Sequence, residues 1–173
     1  MLVLVTGGSA SGKSEYAETQ ACLCRTDNGD VVYIATMIPA DEECEKRIVR
    51  HRKMRSQKGF TTVECYTNLS AVSVPKGSVV LLECMSNLVA NELYCLNGAH
   101  EKTAECILAG VRHLCEQAEY VIVVSNEIVS DGRTYEESTM NYLNTLAAVN
   151  CALARHAQQV TEVVCSIPII HKP

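Results

Sequence analysis

The sequence predicts an α/β fold: a mostly parallel sheet flanked by helices. Three observations predict it. Apolar, β-branched runs alternate with helical stretches, which is the pattern of strands buried on both faces. The first run, LVLVT at residues 2–6, leads directly into GGSASGKS at 7–14. A later run, VVLLE, closes on a carboxylate at Glu83. A strand followed by a glycine-rich phosphate loop, with an acid ending a second strand, is the arrangement of P-loop nucleoside triphosphate hydrolase-like proteins.

The elements follow in chain order. Strands are expected at 2–6, 31–36 (VVYIAT), 60–65 (FTTVEC, the weakest), 78–84 (SVVLLEC) and 120–126 (YVIVVSN). A last run, VTEVVCSIPII at 160–170, is interrupted by Pro168 and reads as an edge strand with a bend, because proline cannot donate to an inner ladder. Helices are expected after the first loop and over 41–54, 86–96, 101–117 and 135–156. No repeat, low-complexity segment or linker divides the chain, so residues 1–173 read as one domain.

Composition narrows the function. The length of 173 residues suffices for a continuous core, and the net charge of −5 argues against a nucleic-acid binder. The one basic run, Lys46 to Lys58, suits an anionic small molecule. Ten cysteines without a charged leader or cleavage site read as reduced thiols in the cytoplasm. Cys22 and Cys24 are the only close pair and no CxxC occurs, so they read as small hydrophobes rather than metal ligands. No apolar run approaches membrane-spanning length.

The loop carries the first chemistry. Gly7, Gly12, Lys13 and Ser14 satisfy G-x-x-x-x-G-K-S/T between a strand and a helix. Glycines let the backbone curl so that the N–H groups of Gly8, Ser9, Ala10, Ser11 and Gly12 converge on phosphate oxygens. Lys13 adds a mobile positive charge, and Ser14 offers a hydroxyl to Mg²⁺. Glu83 is the candidate carboxylate for the same metal; a strand-end acid facing solvent is the plainer alternative. Such a loop serves kinases, GTPases, ATPases and transferases alike, but no N-K-x-D or D-x-x-G pattern of GTPase switches occurs. A small-molecule kinase or a nucleotidyl transferase remains.

The segment EKRIVRHRKMR at 45–55 is the second informative stretch. On a helix, Arg47, Arg50 and Arg55 would surround His51, giving fixed positive charge around one imidazole. By pattern alone, a solvated basic helix with an incidental histidine is the plainer reading.

LVTGGSASGKS at the start, YIAT at 33–36, RIVRHR at 47–52, VLLEC at 80–84 and SNE at 125–127 occur in one order and spacing. Together they resemble the bifunctional adenosylcobinamide kinase and adenosylcobinamide-phosphate guanylyltransferase family of cobalamin assembly. The resemblance implies phosphorylation of adenosylcobinamide with ATP or GTP, then transfer of GMP from GTP to give adenosylcobinamide-GDP. It implies that His51 becomes guanylylated and that Arg52, Lys53, Met54 and Arg55 line the nucleotide with Ala35, Thr36 and Met37. Glu64 and Glu83 would be the site's carboxylates. A homo-oligomer, by resemblance a trimer, is also implied.

The last third departs from the family pattern. The G-x-G-I-V-P turn after N-E is replaced by IVSDGRT, and Met140, Tyr142, Leu143 and Asn144 stand where R-x-F-R-D is expected; Asn150 fits a later family asparagine. Two other readings therefore stay open: a P-loop kinase of another small hydroxyl compound, and a GTP-binding regulatory protein without turnover.

Overall fold

A computed structural model of the chain describes residues 1–26, 29–39, 42, 45, 46, 48, 49, 58–128, 132, 133 and 135–173. Strand β1 (Leu2–Thr6) leads through the loop into helix α1 (Lys13–Leu23), followed by β2 (Val31–Ala35) and β3 (Thr61–Glu64). Then come β4 (Val79–Leu82), α2 (Met85–Tyr94), α3 (Thr103–Gln117), β5 (Tyr120–Val124), α4 (Glu137–His156), β6 (Gln159–Val164) and β7 (Ile167–Lys172). Between β2 and β3, residues 42, 45, 46, 48 and 49 are helical, while the rest of the helix expected at 41–54 lies outside the described residues.

The seven strands form one sheet in the order β3-β2-β4-β5-β1-β6-β7. β1 to β6 are parallel, and only β7 runs antiparallel, against β6. Strict alternation divides the strand residues between two cores. Leu2, Leu4, Val32, Ile34, Val80, Leu82, Val121 and Val123 pack on one face, with Leu88, Ile107, Leu114 and Leu146 of α2, α3 and α4. Val3, Val5, Tyr33, Leu81, Ile122 and Val124 pack on the other, against Ala17 and Ala21 of α1. Small residues on α1 let that helix lie close to the sheet, which holds its first turn over the strand ends. Each fully buried Leu or Ile of these clusters contributes roughly 1.5–3 kcal/mol.

The run at 160–170 is not one bent edge strand. It folds back as a hairpin: β6 lies inside the sheet beside β1, and β7 forms the edge. The turn is made by Cys165 (φ 49°) and Ser166 (φ 64°), two left-handed residues in succession. That geometry matches the twist of a tight hairpin but usually draws Asn or Gly, so Cys-Ser gives little signal. Pro168 sits within β7, where an edge strand tolerates a missing donor.

The candidate nucleotide site

The phosphate loop leaves β1 at Gly7 and enters α1 at Lys13. Gly7 (φ 150°) and Gly12 (φ 92°) take conformations that side chains rarely adopt. A Cβ on Gly7 would stand 2.5 Å from the Val163 carbonyl oxygen, and one on Gly12 would stand 2.7 Å from Ser166 Oγ. Gly7 is therefore required by backbone contact as well as by φ, and Gly12 chiefly by φ. The β6–β7 turn is the reason: Ser166 N–H donates to the Ser11 carbonyl at 2.8 Å. On the other side, Glu127 N–H donates to the Gly7 carbonyl at 3.1 Å.

Gly12 gives α1 no side-chain cap, so the first-turn N–H groups and the positive helix end point toward the loop's mouth. Ala10 also takes a left-handed φ of 57°, completing a concave run of backbone over residues 8–12. Lys13, 8% exposed, curls back so that its Nζ donates to the Gly8 carbonyl at 2.9 Å. This places the ammonium over the same concavity. Ser14 follows in the first turn, half-buried. The arrangement is an anion cradle with one cation and one hydroxyl at its rim.

Glu83 continues β4 one residue beyond its ladder, where its N–H still donates to the Ile34 carbonyl at 3.0 Å. Its Oε2 accepts the Thr36 N–H at 3.3 Å. Thr36 is fully buried and tied further: its Oγ1 donates to the Cys84 carbonyl at 2.9 Å, and its own carbonyl accepts Asn91 Nδ2 at 2.9 Å. The ends of β2 and β4 are thus stapled together. Ala35, Met37, Glu64 and Glu83 line one cleft of about 330 Å³, together with Glu45, Ile48 and Val49. Glu64, at the end of β3, accepts the Tyr66 hydroxyl at 3.0 Å.

The structure therefore brings Ala35, Met37, Glu64 and Glu83 into one cleft, with Thr36 behind its wall. The loop from Gly7 to Ser14 lies on the same rim of the sheet but does not line that cleft. His51, Arg52, Lys53, Met54 and Arg55 lie outside the described residues. Residue pattern assigned no role to Cys84 or Asn126. Cys84 precedes α2, and its thiol pKa is raised, chiefly by burial; backbone N–H groups of Asn87 and Ser86 act in the opposite direction. Asn126 follows β5, and its Nδ2 lies 4.0 Å from Cys84 Sγ. Only the SNE match pointed to that region.

A hydroxyl at Ser14 and a carboxylate at Glu83 are hard oxygen donors of the kind Mg²⁺ accepts alongside phosphates. Among the described residues, no group of three or more His, Cys, Asp or Glu could hold a metal. No described helix is long and apolar enough to cross a membrane.

The parallel sheet, with a glycine cradle between β1 and α1 and an acid closing β4, defines a P-loop nucleotide-binding protein. A solved ATPase domain superposes with a TM-score of 0.55 at 12% identity, covering 93% of this chain and 68% of that one. The chain belongs to the CobU family, cobinamide kinase / cobinamide phosphate guanyltransferase, whose model matches residues 3–170. The bifunctional adenosylcobalamin biosynthesis protein CobU of Escherichia coli (strain K12) is 31% identical, over 98% of each chain. The protein of the same name from Salmonella typhimurium (strain LT2) is 30% identical, again over 98% of each. The chain is accordingly a transferase of cobalamin biosynthesis, a kinase and a guanylyltransferase. Membership of this family displaces the two readings left open above, the kinase of another hydroxyl compound and the GTP-binding protein without turnover.

Proposed function

We propose that one centre at the C-terminal rim of the sheet, within a single domain of residues 1–173, carries both reactions. The observation that carries this reading is the shared rim: the cradle of Gly7 to Ser14 and the carboxylate of Glu83 stand at the ends of parallel strands separated only by β5. Two strand spacings amount to roughly 10 Å, the span of a triphosphate with its metal.

In the first reaction the cradle holds ATP or GTP, and Lys13 draws charge from the β- and γ-phosphates. The hydroxyl oxygen of adenosylcobinamide attacks the γ-phosphorus. The bond to the β-phosphate's bridging oxygen breaks, the hydroxyl proton passes to solvent, and the nucleoside diphosphate leaves. In the second reaction GTP occupies the site and a neutral nitrogen of His51 attacks the α-phosphorus. The α–β bridge breaks and pyrophosphate leaves. A phosphate oxygen of adenosylcobinamide-phosphate then displaces the histidine, giving adenosylcobinamide-GDP and restoring the imidazole. Arg52 and Arg55 neutralise charge on the transferring group, with Lys53 and Met54 beside them. Ala35, Thr36 and Met37 line the nucleotide, and Glu64 serves as its second carboxylate. Ser14 and Glu83 would hold Mg²⁺, which supplies charge neutralisation on the phosphates when bound.

The proposal extends to assembly and place. β7 is the edge strand and exposes Ile167, Ile169 and Ile170, an apolar border suited to a homo-oligomer, with a trimer as the family resemblance implies. The nine described cysteines are all free thiols, as a reducing cytoplasm keeps them.

The test is protein labelling with α-labelled GTP. Wild type retains an acid-labile, base-stable label; His51→Asn retains none and makes no adenosylcobinamide-GDP, yet still phosphorylates adenosylcobinamide. Labelling of the mutant at the wild-type level removes His51 from the mechanism.

A further inference from the structure

We propose that Asn126 is a catalytic residue of the kinase step, its side-chain amide donating a hydrogen bond to a γ-phosphoryl oxygen as that group transfers. The strand order gives the first reason. β5 lies between β4, which ends at Glu83, and β1, which ends at the cradle, pairing with both. The residue that follows β5 therefore stands between the metal carboxylate and the phosphate loop. Such a loop's lysine reaches the β- and γ-phosphates, so the γ-phosphoryl group belongs to this gap.

The second reason is how firmly the backbone at Asn126 is held. Ser125 N–H donates to the Val5 carbonyl at 2.9 Å, and Glu127 N–H donates to the Gly7 carbonyl at 3.1 Å. From α4, Asn150 Nδ2 donates to the Asn126 carbonyl at 3.2 Å and Asn150 Oδ1 accepts the fully buried Ser125 hydroxyl at 2.6 Å. Four hydrogen bonds thus fix residues 125–127: one to β1, one to Gly7 of the loop and two to α4. Such anchoring is what a positioned electrostatic donor requires, because the donor then needs no reorganisation during the reaction.

The third reason is what the amide touches. Its Nδ2 faces Cys84 Sγ at 4.0 Å, a long contact to a weak acceptor. Cys84 directly follows Glu83 in the chain, so the amide faces the residue next to the metal carboxylate, and a phosphoryl oxygen there is a far stronger acceptor than a thiol. The two reactions use this contact differently. In phosphorylation the γ-phosphoryl group is the reacting centre, whereas in guanylylation it leaves within pyrophosphate, away from the bond that forms.

The inference rests on the cradle holding the triphosphate, and the experiment separates the two. Phosphorylation of adenosylcobinamide by γ-labelled ATP, protein labelling by α-labelled GTP and GTP binding are measured for wild type, Lys13→Ala, Asn126→Ala and the near-isosteric, uncharged Asn126→Leu. Loss of one preorganised donor predicts a fall of about 100-fold in the phosphorylation kcat of both Asn126 variants, and protein labelling within about threefold of wild type. Phosphorylation kept within about threefold overturns the proposal, as does an equal fall in both activities, which would mark a structural role. Unchanged GTP affinity in Lys13→Ala would instead remove the cradle reading beneath it.

Discussion

The ammonium of Lys58 lies 2.5 Å from Oε2 of Glu18, and the Glu18 side chain is almost wholly buried while that of Lys58 is 29% exposed. Lys58 precedes β3, and Glu18 lies on α1, so the pair joins the approach to the sheet's far edge with the helix launched by the cradle. Arg25 reinforces the join by donating from Nη1 to the Lys58 carbonyl at 3.4 Å. Glu18 Oε1 is buried with no partner among the described residues, so Lys58 is the charge that makes burial of this carboxylate tolerable. Lys58→Met should lower stability by about 2 kcal/mol, less than a fully buried pair because Lys58 keeps contact with water. Adding Glu18→Gln should recover part of that loss. Urea denaturation of the single and double variants measures it, and a double variant no more stable than Lys58→Met would refute the pairing argument.

Lys13 supplies the only side-chain cation of the cradle motif. Lys13→Ala should weaken GTP binding by about 10- to 100-fold, the worth of a charge-assisted hydrogen bond, and abolish both activities. The fold should persist, since the ammonium donates to the Gly8 carbonyl, five residues away in the same loop. Calorimetric titration with GTP, alongside circular dichroism, gives both readings.

For Glu83, the substitution to Gln keeps the shape and the acceptor for the Thr36 N–H but removes the negative charge. The Mg²⁺ concentration for half-maximal nucleotide binding should rise by about tenfold or more, because a hard cation loses its anionic ligand. An unchanged Mg²⁺ midpoint would show that another group holds the metal.

Alkaline pH should destabilise the protein through its thiols. Burial, the largest cause in each case, raises the pKa of Cys24, Cys65, Cys84 and Cys115. A folded pKa above the unfolded one means that the native state keeps its protons longer. Stability is therefore complete below the ordinary thiol pKa of about 8.5 and declines as pH rises above it toward the folded values. Urea midpoints measured between about pH 7.5 and 10 should fall, and the slope should lessen in Cys65→Ala. A flat profile above about pH 8.5 would contradict the direction of these shifts.

Much of this was legible in the chain because strand and loop chemistry is local. VLVT, VVYIA, VVLL and VIVV are buried on both faces, so they announce strands without needing partners. The cradle was legible for the same reason: its glycines, lysine and serine are contiguous. The hairpin at 159–172 was not, since Cys165 and Ser166 carry no turn signature and Pro168 pointed to a break in the wrong place. Asn126 was hidden by topology. Nothing in chain order says that β5 inserts between β1 and β4, and without that insertion an asparagine after an apolar run is only a strand end. Glu18 was equally silent, since a glutamate on a helix is ordinarily solvated.

The contact of Ser166 with Ser11 and Gly12 orders events in time. A ribosome makes the phosphate loop early and the hairpin late, so the newborn loop lacks the backbone that later braces it. A chain stalled before β6 and β7 has the loop sequence without its brace and the sheet without its border. The braced form of the loop therefore exists only once the first and last stretches of the chain have met.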